Sequence, residues 1–432
     1  MTAMVIMNAF DILTDRGFFY QLTDSEGLQK RLSEGPVTFY VGFDPTADSL
    51  HVGHLLPVMA MRWLQQCGHR AIAVVGGATA MVGDPSGKTE ARPVLSREDI
   101  DANADAMREQ LGRFLDFSED RALLLNNADW LASINYIDFL RDVGRHFSVN
   151  RMLAAESVKL RLETGLSFLE FNYMLLQAYD FAVLCRDQDC TLQLGGQDQW
   201  GNIVAGVDLT RRLEGREVQG ATFPLLLKAD GEKFGKTASG AVWLNSDRTA
   251  PYDYYQFWRN AADADVQRLL AFFTMLPMDE VRRLGELEPP RINRAKEILG
   301  FEATCLAHGR QAAERAYLAA GSEFGFADPK GTIPTSSSIA DVRVEKKADQ
   351  LPTHEVAFSE LEQGVSVVAL LRASGLCTSN GDARRLIKGG GAYLNNERVG
   401  DDKLQVTPDH LDNGELMLRA GKKNVRRIVV SD

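Results

Sequence analysis

The apolar positions change period along the chain, and the changes mark its elements. Residues 37–41, Val-Thr-Phe-Tyr-Val, form a β-branched and aromatic run that ends in Gly42-Phe43-Asp44-Pro45. That pattern predicts a buried strand closed by a tight turn. Residues 51–67 carry apolar side chains at helical spacing, Leu55, Val58, Met59, Met61 and Leu64, and Gly68 is a natural stop. Residues 71–75, Ala-Ile-Ala-Val-Val, predict a second buried strand. Strand, turn, helix and strand within about forty residues make a βαβ unit, the seed of a Rossmann-like doubly wound parallel sheet. Residues 191–194 and 223–227 predict later strands of that sheet, and residues 96–116, 150–163 and 167–185 predict helices.

From residue 252 to about 320 the pattern is helix after helix, with no convincing strand. Residues 331–338, Gly-Thr-Ile-Pro-Thr-Ser-Ser-Ser, break the periodicity and open a linker. Beyond it, residues 365–374 and 379–388 predict two short helices, and residues 392–399 a hairpin around Asn395-Asn396, a pair suited to positive φ. The expected fold class is α/β, a Rossmann-like doubly wound parallel sheet followed by a helical domain and a small α+β domain. A Rossmann-like catalytic domain spans residues 1–247 and a helical domain 248–330. A linker over 331–357 leads to a small α+β domain over 358–432.

At 432 residues, 45% hydrophobic and 25% charged, the composition is that of soluble globular protein. No apolar run approaches the roughly 18 residues that cross a bilayer, and the first residues lack a secretory pattern, so a cytoplasmic protein with no membrane partner is expected. The five cysteines are odd in number and scattered, which points to reduced thiols and no structural zinc. The net charge of −11 argues against a nucleic-acid partner until it is divided by region. Residues 361–432 carry 11 Lys and Arg against 9 Asp and Glu, while the remainder carries 37 against 50. The tail alone has a positive balance.

His51-Val52-Gly53-His54 opens the first helix directly after the first strand and turn. Backbone N–H groups and the positive helix end meet phosphate at such a place, and imidazoles donate to it. Gly53 lets a flat base approach the backbone. Lys233-Phe234-Gly235-Lys236-Thr237 is a basic, glycine-bearing loop whose lysines can neutralise a departing pyrophosphate. Residues 83–89 resemble a phosphate-binding loop but carry Val82 where its first glycine belongs, which excludes that class of NTPase. Lys88 and Arg92 can still reach phosphate from this segment. Tyr173, Gln177 and Asp180 share one face of an apolar helix, either as a ligand-binding wall or as an internal polar network. Residues 195–202 end another strand at the face where open α/β sheets bind ligands, with Asp198 suited to ribose hydroxyls and Gln199 to a carboxylate or phosphate oxygen.

The paired motifs His51–His54 and Lys233–Thr237 resemble the two signatures of class I aminoacyl-tRNA synthetases. Residues 40–51, residues 195–202 and the Tyr173/Gln177/Asp180 helix are similar to the bacterial tyrosyl branch of that family. Phe234-Gly235 in the second signature is usual in that branch. The resemblance implies that Tyr40 and Asp180 bond a substrate phenol, that Tyr173, Gln177 and Asp84 hold its ammonium, and that Gln199 orients its carboxylate. It implies ATP contacts from Gly42, Asp44, Thr46, His51, Gly53, His54, Gly196 and Asp198, with Lys88, Arg92, Lys233 and Lys236 closing on the pyrophosphate. ATP is then a substrate accompanied by Mg2+, with no resident metal or permanently bound cofactor, and a homodimer is implied. The tail is similar to a small RNA-binding domain shared with a ribosomal protein. Arg384, Arg385, Lys388, Lys422 and Lys423, with Arg426 and Arg427 beside them, are its candidates for contacting tRNA(Tyr). The tryptophanyl branch shares fold and signatures, but Asp180 beside Tyr40 suits a phenol better than an indole. An RNA-binding regulator on an inactive version of the fold is the other alternative, and the intact histidine and lysine pairs argue against it.

Overall fold

The structure, a computed structural model, describes residues 8–86, 96–163, 165–227, 234–237, 240–342, 352–395, 397–412, 414–421 and 424–431, with only the backbone of residues 156, 157, 160, 236 and 237. The chain forms two compact units. The first holds residues 1–235, 243–245 and 267–285. Its sheet has strands β1 (Gln21–Leu22), β2 (Thr38–Phe43), β3 (Arg70–Val75), β4 (Ala122–Asn126), β5 (Cys190–Gly196) and β6 (Gln219–Phe223). Their spatial order is β1-β6-β5-β2-β3-β4. β2 to β6 run parallel, and β1 lies antiparallel on β6. A parallel sheet is covered on both faces, which is why β2 and β3 read as nearly continuous apolar runs. From β2 the chain winds outward through β3 and β4, then crosses to β5 and β6 on the other side. The winding reverses between β2 and β5, and their carboxyl ends flank the crevice where such sheets bind ligands.

Helices α1 (Leu55–Gln66), α2 (Arg97–Leu111), α3 (Tyr173–Gln188) and α4 (Trp200–Glu214) belong to this unit. α1 buries Leu55, Leu56, Val58, Met59, Met61, Trp63 and Leu64, and it stops before Gly68, whose φ is +91°. α2 reaches back to the start of α1: Gln110 Oε1 accepts from the Leu50 amide at 2.8 Å. β6 is tightly covered by α4. A Cβ on Gly220 would come within 2.2 Å of Ile203 Cγ2, so only glycine fits there.

The strand expected at residues 223–227 lies instead at Gln219–Phe223. Pro224 cannot extend the ladder, and the segment after it leaves the sheet. Its residues Gln-Gly-Ala-Thr look unlike a strand because burial under α4, not propensity, makes it one. The helix expected over 150–163 is broken at Ala155 into Val149–Ala154 and Glu156–Leu162. β1 and β4 were not foreseen.

The second unit holds residues 236–242, 246–266 and 286–432. Helices Pro251–Arg259, Ile292–His308 and Arg310–Phe324 make its first part, as the helical periodicity predicts. Its last part has helices Val367–Ala373 and α5 (Asn380–Lys388) against a five-stranded sheet. That sheet's strands are β7 (Thr353–Ala357), β8 (Ala392–Leu394), β9 (Glu397–Arg398), β10 (Glu415–Ala420) and β11 (Asn424–Ser431), ordered β9-β8-β10-β11-β7. The predicted hairpin is β8–β9, with Asn395 at φ +46°. Leu361, Val367, Leu371, Ile387, Leu416, Leu418 and Ile428 form a separate core.

Among the described residues no helix is long and apolar enough to cross a membrane.

Candidate active site

A cavity of about 640 Å³ opens at the carboxyl ends of β2 and β5. Tyr40, on β2, lies in its floor with the ring 5.4 Å from Phe181. The Tyr40 hydroxyl is buried and has no hydrogen-bond partner among the described residues. Burial, and after it the charge of Asp180, pushes this phenol well above its ordinary range. A buried hydroxyl left unpaired costs free energy, so this one is poised to meet a polar group of a ligand.

Asp180 of α3 is held by two residues that sequence reasoning missed. Asn127 Nδ2 donates to Oδ2 at 3.0 Å and Trp130 Nε1 to Oδ1 at 2.7 Å. Burial raises the carboxyl to about 7, against the pull of these two donors. Asn127 and Trp130 follow β4 at the same ligand-binding edge of the sheet. Recognising Ala122–Asn126 as a strand would have found them.

Above the floor lies an amide network. Asp84 is buried and raised to about 6, first by burial and then by the charge of Asp44. Its Oδ1 accepts from the Ser86 amide at 2.9 Å and its Oδ2 from Gln199 Nε2 at 2.7 Å. Asn202 Nδ2 bridges Gln177 Oε1 at 3.0 Å and Gln199 Oε1 at 3.2 Å. The polar stripe on α3 is thus both an internal network and a cavity wall. Ser86 and Asn202 are the members that the sequence did not disclose. Tyr173 Oη lies 3.4 Å from Asp44 Oδ1. Asp44 raises both Asp84 and Asp180, so three carboxylates share one field at the cavity. Such a field favours a cation and is relieved by one.

On the other side, His51 caps the short turn Val52–His54 that leads into α1. His51 Nδ1 accepts from the Gly53 amide at 3.0 Å, and His54 Nδ1 from the His51 amide at 3.2 Å. The rings stack at 4.0 Å. With both Nδ1 atoms accepting, the neutral rings carry their proton on Nε2 and are donors there. A Cβ on Gly53 would press on the His51 ring at 2.7 Å, and one on Gly196 would meet Asp198 Oδ1 at 2.5 Å. Gly235, at φ +86°, comes close enough that its Cβ would lie 3.2 Å from the Gly53 amide nitrogen, so the two signatures touch through glycines.

The cavity therefore gathers Tyr40, Asp84, Tyr173, Gln177, Asp180 and Gln199 on one side. Gly42, Asp44, Thr46, His51, Gly53, His54, Gly196 and Asp198 line it as well. Lys88, Arg92 and Lys233 lie outside the described residues, as does the side chain of Lys236. In the second unit, Arg384 sits 3.6 Å from Asp402 and Arg385 3.6 Å from Asp382, both at the surface of α5 with Lys388. Lys422 and Lys423 lie outside the described residues. Arg426 and Arg427, counted among the basic candidates, are instead drawn into ion pairs: Arg426 meets Asp253 at 2.8 Å, and Arg427 pairs with Glu415 across β10 and β11.

A doubly wound sheet with a histidine-bearing helix start beside a carboxylate-lined cavity is the arrangement of a nucleotide-binding catalytic domain. Residues 32–325 match the family described as tRNA synthetases class I (W and Y), and the chain belongs to that family. Residues 343–428 match the tyrosine–tRNA ligase SYY-like C-terminal domain. The tyrosine–tRNA ligase of Desulfosudis oleivorans is 51% identical, with 98% of this chain and 99% of that protein covered. That of Syntrophus aciditrophicus is 49% identical, with 99% and 100% covered. The crystal structure of a C-terminally truncated Aspergillus nidulans mitochondrial tyrosyl-tRNA synthetase superposes with a TM-score of 0.65 at 31% identity, covering 72% of this chain and 93% of that one. The chain is an enzyme of this class, a ligase with ATP as substrate.

Proposed function

We infer that the chain is a tyrosine–tRNA ligase: it converts L-tyrosine and ATP to tyrosyl-adenylate and pyrophosphate, then passes tyrosine to the 3′ end of tRNA(Tyr). The observation that carries this reading is the unpaired Tyr40 hydroxyl buried beside Asp180 at the cavity floor. A phenol placed there donates to the Asp180 carboxylate and accepts from Tyr40. An indole N–H could donate to Asp180 but has nothing to offer Tyr40 as an acceptor.

The tyrosine ammonium enters the field of Asp84 and Asp44, with Tyr173 and Gln177 as neutral partners, and Gln199 turns the carboxylate toward ATP. Because that carboxylate is already ionised, attack on the α-phosphorus needs no general base. Catalysis reduces to positioning and to stabilising charge on the leaving pyrophosphate. Nε2–H donors of His51 and His54 serve that charge, together with Lys88, Arg92, Lys233 and Lys236. Asp198 takes the ribose, while the backbone at Gly42, Gly53 and Gly196 gives the adenosine close passage near Thr46. Mg2+ enters with ATP as part of the nucleotide substrate.

The tail, with Arg384, Arg385, Lys388, Lys422 and Lys423, contacts tRNA. The enzyme works as a homodimer in the cytoplasm. Tyr136, Ile137, Val149, Phe168 and Leu169 of the first unit stand more than half exposed, apolar side chains whose burial against a second copy would favour a dimer.

ATP–pyrophosphate exchange with tyrosine, tryptophan and phenylalanine tests the reading. Exchange driven by tyrosine alone is expected. Equal exchange with phenylalanine would remove the phenol site, and exchange with tryptophan would move the chain to the sister branch.

A further inference from the structure

Helix Val266–Phe273 supports the second signature from both of its flanks. Arg268 donates to the Leu227 carbonyl before the loop, and the Phe273 ring stacks on Phe234 within it at 6.1 Å and 6°. The Phe234 amide also donates to Leu226 O at 3.0 Å, and Leu226 lines the cavity. This helix is a platform, and its own carboxyl end exposes carbonyls that need donors.

Those donors come from the far end of the sequence. Arg16 follows the N-terminal helix Ala9–Asp15 and is buried. Its Nη1 donates to Ala271 O at 2.7 Å and Thr274 O at 3.2 Å, and its Nη2 donates to Leu276 O. The same guanidinium lies over the Trp63 ring, 4.0 Å from the centroid. Trp63 belongs to α1, the helix that opens with His51–His54. The next residues hold Arg16 in place: Phe18 is fully buried, with its ring edge-on to Phe272 at 5.1 Å and to Phe223 at 6.3 Å. Burying this guanidinium opposes its charge and lowers it to about 10. A buried cation whose partners among the described residues are carbonyls and a ring is a costly way to cap a helix. What it adds is a rigid joint between the helix that opens with the first signature and the helix that supports the second.

We propose that Arg16 is a positioning residue for amino-acid activation, fixing the spacing between the His51–His54 helix and the platform beneath the second signature while touching neither substrate. The proposal rests on the roles given above to those signatures. It predicts that loosening the joint slows the pyrophosphate-releasing step and spares the tyrosine pocket, which is built on β2, β4 and α3.

The test is Arg16→Lys, because one ammonium cannot reproduce a planar fork on three carbonyls and a ring stack. Tyrosine activation at saturating substrates should fall by about tenfold or more while the tyrosine dissociation constant stays within about twofold. Phe273→Leu, which leaves Arg16 in place, should show the same split. The two changes together should cost less than the product of their separate effects, because both act through one platform. An unchanged rate in either variant, a parallel loss of tyrosine affinity, or fully multiplicative effects would overturn the proposal. If Arg16→Lys does not fold, Trp63→Leu, which removes the ring beneath the guanidinium, should show the same split, and an unchanged rate there would overturn the proposal. Absence of tyrosine-dependent exchange in the unaltered protein would instead overturn the functional reading beneath it.

Discussion

Trp130 Nε1 lies 2.7 Å from Asp180 Oδ1, and with Asn127 Nδ2 on the other oxygen each carboxylate oxygen already accepts one hydrogen bond and keeps room for a second from a ligand. Both donors favour the charged form, whereas burial opposes it and prevails, raising the group to about 7. A phenol O–H is best received by the ionised carboxylate. Tyrosine affinity should therefore weaken as pH falls through about 7. Trp130→Phe removes a donor to the charged form, so the midpoint should move upward and neutral-pH affinity drop roughly tenfold. Equilibrium binding of tyrosine between about pH 6 and 8 reads both effects. A flat profile in the unaltered protein would take Asp180 out of the phenol site.

His51→Ala and His54→Ala should slow activation far more than they weaken tyrosine binding. Donors to a departing pyrophosphate act on the transition state and leave the ground state nearly untouched. Loss of one such donor costs about 3 kcal/mol, roughly a hundredfold in rate. His51 also caps the turn into α1, so His51→Asn is the control: it keeps an acceptor for the Gly53 amide, and activation should still fall. Stopped-flow measurement of adenylate formation decides it. Normal rates with poor tyrosine affinity would contradict the assignment.

His69 gives a stability prediction remote from the chemistry. Its Nδ1 accepts from the Val37 amide at 3.1 Å, at the entrance to β2, and burial lowers the imidazole to about 4. In the unfolded chain it takes up a proton near its ordinary 6.5. The folded state thus binds protons less readily, and this contribution is fully present above about pH 6.5 and is lost as pH falls toward 4. His69→Gln should flatten the fall in melting temperature between about pH 7 and 5 relative to the unaltered protein. Parallel curves for the two proteins would exclude His69 as the cause.

How far the site could be read from residues alone depended on whether its signals were local. β2 and β3 are short buried runs of mostly apolar residues, and the two signatures are compact strings whose chemistry follows from their place at a helix start and a basic loop. β4 is Ala-Leu-Leu-Leu-Asn, equally at home in a helix, and its loss hid Asn127 and Trp130 behind it. β6 was displaced because its glycine and polar residues carry no strand signal of their own: Gly220 is there to leave room for Ile203 packed above it. The network of Asp84, Gln177, Gln199 and Asn202 joins three separate stretches of the chain, with Gln177 25 positions from Asn202 and Asp84 115 from Gln199, a proximity that only folding creates. Likewise, Arg426 and Arg427 look like nucleic-acid contacts in a basic tail, yet Asp253 and Glu415 claim them.

Removing the C-terminal part should leave tyrosine activation intact and abolish tRNA charging. Every residue assigned to tyrosine and ATP lies between Tyr40 and Lys236, and the tail has no assigned chemistry beyond its charge. The natural cut falls before β7, not at the linker's end near residue 357. β7 pairs in parallel with β11, so a cut after Ala357 would leave a strand without its partner. A chain ending at Val342 avoids this. It leaves Asp253 without Arg426, but that carboxylate is partly exposed and water can take the arginine's place. Pyrophosphate exchange should then stay within about twofold of the full chain, while charging falls by roughly a hundredfold or more and cannot be restored by lowering salt. In the full chain, Arg384→Ala, Arg385→Ala and Lys388→Ala together should weaken charging and shallow its dependence on salt, since these side chains are exposed on α5 and each neutralises about one phosphate. If the tail instead only stabilises the remainder, the shortened chain will melt earlier and lose exchange along with charging. Full charging by the shortened chain at ordinary tRNA concentration would show that the tail is not what holds the RNA.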